Sequence, residues 1–440
     1  MFNSFQMSIF GIEGVIFSFV QKGALLTYQQ QMKTLYKLST LAASLVAVAS
    51  GLMADPVESS LDSAFTKIEE SVPGQFNLNS RLRYESFDLD NGNSALDRNG
   101  ASLRVRYGYQ SPDFAGFTGM IEGETLTRVG GDSADIHTLD DAGDGTDLNQ
   151  AWVQYKDSDN GTVKVGRQIY ALDDHRFIGH VGWRQNIQTF DGATAEFSGV
   201  DKLSFKGFYL AEQHAVNGTH NELDAFGVNV SYAFSKGFKL TGFYYDIEGD
   251  DVGNANASNS TIGLRAVGSF NMDEVVFNYS GSIADQQDAG PSSLDYDAGY
   301  LAGDLSAKIG GITLGGGFEI MESGFRTPLS TVHKFNGFAD ALLPLGGFNN
   351  GLEDFYVYAG YTIPVGSGIK TKVIYHWFDS ESGGAAGQDG GTEFDLVASY
   401  KINKYLSLVS KYGDYQEDGG VGNAGGADKK MFTFEMNFVY

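Results

Sequence analysis

The chain has 440 residues, no cysteine, 58 glycines, 23 tyrosines and 32 phenylalanines, and its formal net charge is −25. That acidity argues against nucleic-acid binding, which needs clustered lysine and arginine; the lack of cysteine fits an oxidising compartment reached without structural disulfides. Beyond the first 54 positions there is no apolar run of the roughly 18 residues that a membrane-spanning helix needs.

The first element is an address. "MKTLYKLSTLAASLVAVASGLMADP" begins at Met32, with Lys33 and Lys37 as a positive start and Leu38 to Ala49 as an apolar stretch of secretory-signal length. Residues 32–54 are therefore expected to be a cleaved signal peptide, cut after Ala54, with Gly51 or Ala49 as alternatives. Residues 1–31 are read as an extension upstream of the true start. In 55–74, Leu61, Ala64, Phe65 and Ile68 share one helical face before Pro73 and Gly74 break it. This predicts a short periplasmic segment with one helix.

From Gln75 the apolar period changes to two. "LRVRYGY" sets Leu103, Val105, Tyr107 and Tyr109 against Arg104, Arg106 and Gly108, and "IGLRAVGSF" and "FGVNVSYAF" alternate in the same way. The segments have the length of tilted strands that cross a bilayer. Eighteen are predicted, starting near Gln75, Ala101, Gly116, Asp147, Thr162, Ile187, Lys202, Leu223, Gly237, Asn259, Asp273, Leu294, Gly311, Leu352, Ile369, Thr392, Tyr405 and Lys429. Short connections such as "DSDNG" and "SKG" alternate with long ones such as 130–146, 171–186 and 416–428. The fold expected over 75–440 is thus an all-β, transmembrane antiparallel β-barrel, with short periplasmic turns and long extracellular loops.

The last segment, "FTFEMNFVY", puts Phe432, Phe434, Met436, Phe438 and Tyr440 on one face. It reads as the closing strand, pairing back to the first so that no edge is left in lipid. A terminal aromatic strand resembles the signal that the barrel-assembly machinery reads, which makes that machinery an expected partner through Tyr440.

Alternate positions face the lumen, which at this strand number is too wide for side chains to fill. Arg81, Arg83, Arg104 and Arg106 project inward from two adjacent strands, and Arg265, Lys370 and Lys372 add positive charge elsewhere. Glu85, Glu122, Glu124, Glu196, Glu319, Asp395 and Glu435 face them. Four neighbouring arginines exceed what Glu85 pairs, which predicts an anion-attracting strip. Asp140, Asp141, Asp144 and Asp147 in "DDAGDGTD" are a weak calcium candidate without the EF-hand pattern, or a bridge through divalent cations to lipopolysaccharide phosphates. No other metal site and no cofactor is expected. The seven histidines fall mostly in loops, and no nucleophile elbow or P-loop accompanies them, so an enzyme is not expected.

Two connections stand out: "GRQIYALDDHRFIGHVGWRQN" at 166–186, with His175, Arg176, His180, Trp183 and Arg184, and "GFRTPLSTVHKFNGFADALLPLGGFNNG" at 324–351, with Arg326, His333 and Lys334. A long connection of this kind is expected to fold into the barrel mouth. "VGRQ…LDDHRFIGHVGWRQNIQTFDG" and "TPLSTVHKFNGFAD" resemble the signatures of the alginate-export family of bacterial outer-membrane β-barrel proteins. The resemblance implies an 18-stranded outer-membrane channel of a Gram-negative cell, set in lipid and lipopolysaccharide. It implies passive passage of anionic oligo- or polysaccharide, with His175, Arg176, Arg184, Arg326, His333 and Lys334 at the mouth. The alternatives are a general diffusion porin for small hydrophilic solutes and a structural barrel without conductance.

Overall fold

The structure, a computed structural model, describes residues 59–440 except 60–61, 64–65, 68–69, 71, 91–96, 132–144, 158–159, 250–254, 346–347, 382–388 and 419–426. The expected signal peptide, the extension before it, and Asp140, Asp141 and Asp144 lie outside the described residues; Asp147 is exposed on a strand. The described residues between 59 and 70 are helical. Asp62 there pairs with Lys404 Nζ at 2.7 Å and accepts a hydrogen bond from the Tyr405 hydroxyl.

Eighteen strands follow: β1 (Gln75–Asp90), β2 (Arg98–Gln110), β3 (Phe117–Gly131), β4 (Gly145–Lys156), β5 (Gly161–Gln168), β6 (Thr189–Val200), β7 (Leu203–His214), β8 (His220–Ser235) and β9 (Phe238–Gly249). The second half comprises β10 (Asn259–Met272), β11 (Val275–Asp288), β12 (Asp297–Ile309), β13 (Ile312–Met321), β14 (Leu352–Ile363), β15 (Ile369–Asp379), β16 (Asp389–Lys401), β17 (Leu406–Gln416) and β18 (Asp428–Val439). The expected starts at Gln75, Asn259, Leu352 and Ile369 coincide with these, and the others fall within three residues.

Each strand pairs antiparallel with its sequence neighbours, and β1 pairs with β18 from Asn79↔Val439 to Asp90↔Asp428. The seam continues past the strand end: Leu78 and Tyr440 exchange backbone hydrogen bonds at 3.1 and 2.8 Å. The sheet is therefore a closed barrel, which satisfies its backbone groups without water. Turns at 201–202, 236–237, 273–274 and 310–311 lie at the end holding both termini, and the long connections lie at the other.

Outward positions are apolar: on β8 alone Phe226, Val228, Val230, Tyr232 and Phe234 are exposed, while Leu223, Ala225 and Asn229 are buried. Aromatic pairs mark the periplasmic rim, among them Phe76–Tyr109, Phe117–Tyr155, Phe234–Phe238 and Phe270–Phe277, with ring centroids 4.8 to 5.3 Å apart. Such a belt suits the membrane–water interface, because the rings are amphipathic.

The hydrophobic core lies inside the barrel. Phe190, Phe208, Leu210, Phe243, Tyr245, Tyr300 and Met321 point inward and pack against Leu172, Ile178, Phe325 and Leu329 of the β5–β6 and β13–β14 connections. An inward aromatic face on a barrel this wide needs a partner, and the two long loops supply it.

Candidate functional site: a constriction built by two inserted loops

The β5–β6 and β13–β14 loops fold into the lumen and bind each other. Gly179 N donates to Leu329 O at 2.8 Å, Thr331 N donates to His175 O at 2.9 Å, and Val181 N donates to Thr331 Oγ1 at 3.0 Å. The Gln188 amide donates to both Gly179 O and Leu329 O, at 2.7 and 3.2 Å. Val181 itself has φ 51°, a conformation costly for a β-branched residue, and it persists because these bonds hold both sides. At the tip of the pair the indole of Trp183 stacks on the imidazole of His333.

The arginines expected to form a strip are what the first loop sits on. They face inward, as the alternation requires. Arg81 donates through its guanidinium to the carbonyls of Gly182, Trp183 and Arg184 at 2.9 to 3.1 Å. Arg83 lies 4.7 Å beneath the Trp183 ring and pairs with Glu85 and Glu435, both at 3.4 Å. Arg106 pairs with Glu124 and reaches Gln185 O at 3.3 Å, and Arg104 donates to Asn79. Arg83 and Arg104 are each only 1% exposed and Arg106 7%, so these three are covered rather than water-lined. The excess charge is met by loop carbonyls and by Glu124 and Glu435, and this corrects the open basic strip.

The mouth residues are redistributed too. Arg176 is buried at the seam between loop and wall, donating to Glu319 at 2.7 Å and to Asn336 at 3.0 Å. Arg184 sits beside Glu85 and Asp340, 3.5 Å from each. Arg326 is buried at the extracellular rim, bonded to the carbonyls of Gly324 and Asn256 and covering the Tyr296 ring. Arg176 and Arg326 are structural ties and not solute-facing charges, because desolvated guanidinium groups require fixed partners, whereas the Arg184 side chain keeps 18% of its surface exposed. His333 is buried between Asp340 at 2.9 Å and Lys411 at 2.9 Å. Burial pushes the His333 imidazole down to about 3 and that of His180 down to about 4, so both are neutral at ordinary pH. His175 packs edge-on against His180 at 4.7 Å.

The second loop is held against the opposite rim of strands by acids. Phe338 N donates to Asp395 at 3.1 Å and Ala339 N to Glu393 at 2.6 Å. The approach is close enough that Gly413 is required: a Cβ there would lie 2.6 Å from Ala339 N. Asn336 donates to Glu319 at 2.8 Å and Asp354 at 3.2 Å, and Asp354 in turn holds His376 at 2.8 Å.

Beneath residues 334–338 lies a cavity of about 280 Å³, bounded by strands β10 to β16. Here the remaining expected cations are accessible. Arg265 pairs with Asp174 at 2.8 Å, Lys334 is exposed and donates to Asp174 O at 3.0 Å, and Lys372 lies 3.9 Å over the Tyr358 ring. Lys370 is exposed below them. Asp304 accepts from the hydroxyls of Tyr356 and Tyr358 at 3.2 and 3.0 Å. Lys334, Lys370 and Lys372 therefore place accessible positive charge on the second loop and on β15. Asn336, Gln185 and Tyr356 were not legible as site residues, since each acts through a partner distant in sequence.

A closed 18-stranded barrel with an apolar belt and a loop-lined lumen defines an outer-membrane channel protein. The model of the family described as "Alginate export" matches residues 72–295, and the chain belongs to that family. The match includes the "LDDHRFIGHVGWRQN" loop; "TPLSTVHKFNGFAD" lies beyond it. Among solved structures, the outer-membrane protein OpdK of Pseudomonas aeruginosa is 15% identical, with a TM-score of 0.64 covering 83% of this chain and 99% of that one. OccAB2 of Acinetobacter baumannii is 14% identical, with a TM-score of 0.68 covering 83% and 98%. OpdK has also been solved with vanillate, at 15% identity and TM-score 0.64 over 83% and 98%. At these identities the likeness is one of fold. No curated protein matches the sequence.

Proposed function

We propose that this protein is a passive channel for anionic oligosaccharides of the alginate type, threaded past the two inserted loops. The observation that carries the reading is the set of cations Arg265, Lys334 and Lys372, which line the cavity with Tyr356, with the Tyr358 ring under Lys372 and Lys370 exposed below them. Carboxylates on the solute would meet the cations while sugar faces meet the aromatic rings. Asp304 on the same wall would accept from sugar hydroxyls. Transport is diffusive, biased by the charge of the wall.

A second reading, a pore for small carboxylate-bearing solutes, draws on the modest size of the cavity, about 280 Å³, and on the vanillate bound in the structure of OpdK. The test is single-channel conductance of the refolded protein in a planar bilayer, with oligomers added to one side. Block by alginate oligomers but not by neutral oligomers of equal size supports the first reading. Block by a small aromatic carboxylate alone supports the second, and open current indifferent to all of them refutes both.

A further inference from the structure

Glu212, His214 and His220 form a convergent cluster on the outside of the barrel. Gln213 points inward, where it donates to Gln188 of the inserted loop at 2.7 Å, so its neighbours Glu212 and His214 point out. His220 is directly opposite His214 in the β7–β8 register, and the two rings meet edge-to-face at 4.4 Å. Both histidines aim a ring nitrogen at the same carboxylate: His220 Nδ1 lies 3.3 Å from Glu212 Oε1, and His214 Nε2 lies 3.7 Å from Glu212 Oε2. The three donor atoms all fall within 4.8 Å of one another. Asp191 adds an oxygen 3.2 Å from His214 Nε2 and is itself gripped by Arg167 at 2.8 and 2.9 Å.

We propose that this cluster is a site for a zinc-like divalent ion, bound by His214 Nε2, His220 Nδ1 and the Glu212 carboxylate. Two imidazoles and one carboxylate suit a borderline-soft divalent metal, and such a ligand set leaves open positions for water. Bonds of about 2.0–2.1 Å in tetrahedral geometry place neighbouring ligand atoms about 3.3–3.4 Å apart, against 3.3 and 3.7 Å from the imidazole nitrogens to the Glu212 oxygens and at most 4.8 Å among the three donors. The scaffold is pre-organised, because Glu212 and His214 are two apart on one strand and His220 is the paired residue across a short hairpin. His220 is 60% exposed at its side chain, which gives the ion an entry path at the extracellular end. Asp191 is placed to accept from a metal-bound water while Arg167 fixes its orientation.

The experiment is isothermal titration of the refolded full-length barrel with Zn²⁺, paralleled by Co²⁺ titration read by visible absorption. One saturable equivalent of zinc is expected, with cobalt bands of a four- or five-coordinate nitrogen and oxygen site. His220→Ala and His214→Ala should each weaken binding about tenfold or more, while the paired loop variant His175→Ala/His180→Ala binds as wild type. Absence of saturable binding, or equal binding by wild type and His220→Ala, overturns the proposal. His220 is exposed, so that variant keeps the test decisive even if His214→Ala fails to fold. The readout is metal binding and does not depend on which solute the channel carries.

Discussion

The indole of Trp183 lies flat on the imidazole of His333, ring centroids 3.4 Å apart and planes 14° from parallel, and this stack joins the two inserted loops inside the lumen. Around it, Arg83 and Arg184 cover the indole at 4.7 and 4.2 Å, and Lys411 reaches the far nitrogen of His333. Trp183→Ala removes a contact worth about 0.5–1.5 kcal/mol beyond its buried area. The barrel stays folded and the loops lose their clasp, so single-channel conductance rises and becomes noisier. Unchanged conductance would mean that the stack does not limit the passage.

Gly413 offers an independent way to move the second loop. A side chain there meets the backbone of Ala339, which cannot yield as a flexible side chain can. Gly413→Val is expected to displace the loop tip from Glu393 and Asp395 and to raise conductance, with the strand ladder intact by circular dichroism.

Ion selectivity separates the two groups of cations. Lys334→Glu combined with Lys372→Glu reverses charge on the accessible wall and should shift the reversal potential in a salt gradient toward cation preference. Arg83→Met should leave selectivity nearly unchanged. It leaves Glu85 and Glu435 short of a partner in a buried site, a defect worth up to about 3–5 kcal/mol, softened here by Arg184, Arg81 and Lys411. Lowered urea resistance with unaltered selectivity is the expected signature.

Acid should loosen the constriction. His333 is held neutral by burial, with its protonation pushed from 6.5 down to about 3, despite the Asp340 carboxylate beside it; Lys411 and Arg184 oppose its charging further. The undocked loop takes up a proton near the ordinary value, so docking is fully stable above about pH 6.5 and weakens as pH falls toward 3. His180, pushed down to about 4 by burial and by His175 and Arg106, acts in the same direction. Conductance measured from pH 7 to pH 4 should therefore increase. The increase should be smaller in His333→Gln, which cannot charge. A pH-independent conductance in the wild type would exclude this coupling.

The closing seam makes a last prediction. Deleting Val439 and Tyr440 removes the backbone bonds to Leu78 and the ring contact of Tyr440 with Tyr405. Unpaired backbone groups at the edge of the hydrocarbon layer cost several kcal/mol each, so the truncated chain should fold into vesicles more slowly and give less heat-resistant barrel on gels.

The strand plan was legible because alternation is local. Once Phe432, Phe434, Met436 and Phe438 are assigned to lipid, Thr433, Glu435 and Asn437 must face in, and the partner strand follows from closure. The inward direction of Arg81, Arg83, Arg104 and Arg106 was equally available from the period of two. What these arginines touch was not. Glu435 lies at the other end of the chain, and the carbonyls of Gly182 to Arg184 come from a loop whose path no periodicity describes.

The amino-acid sequence by itself thus determined the barrel, its strand number, its lipid and lumen faces and which connections are long, because each depends on residues a few positions apart. Only the tertiary structure decided how the two loops bind each other inside the barrel, that three arginines are covered while Lys334 and Lys372 stay accessible, and that His214, His220 and Glu212 converge. These follow from the inward apolar face, where Phe190, Phe243 and Tyr300 require cover, and from the barrel's curvature, which brings distant carboxylates and backbone donors to one place. Such contacts are selected by shape and by the cost of leaving buried polar groups unpaired, and neither quantity is written in any short stretch of chain.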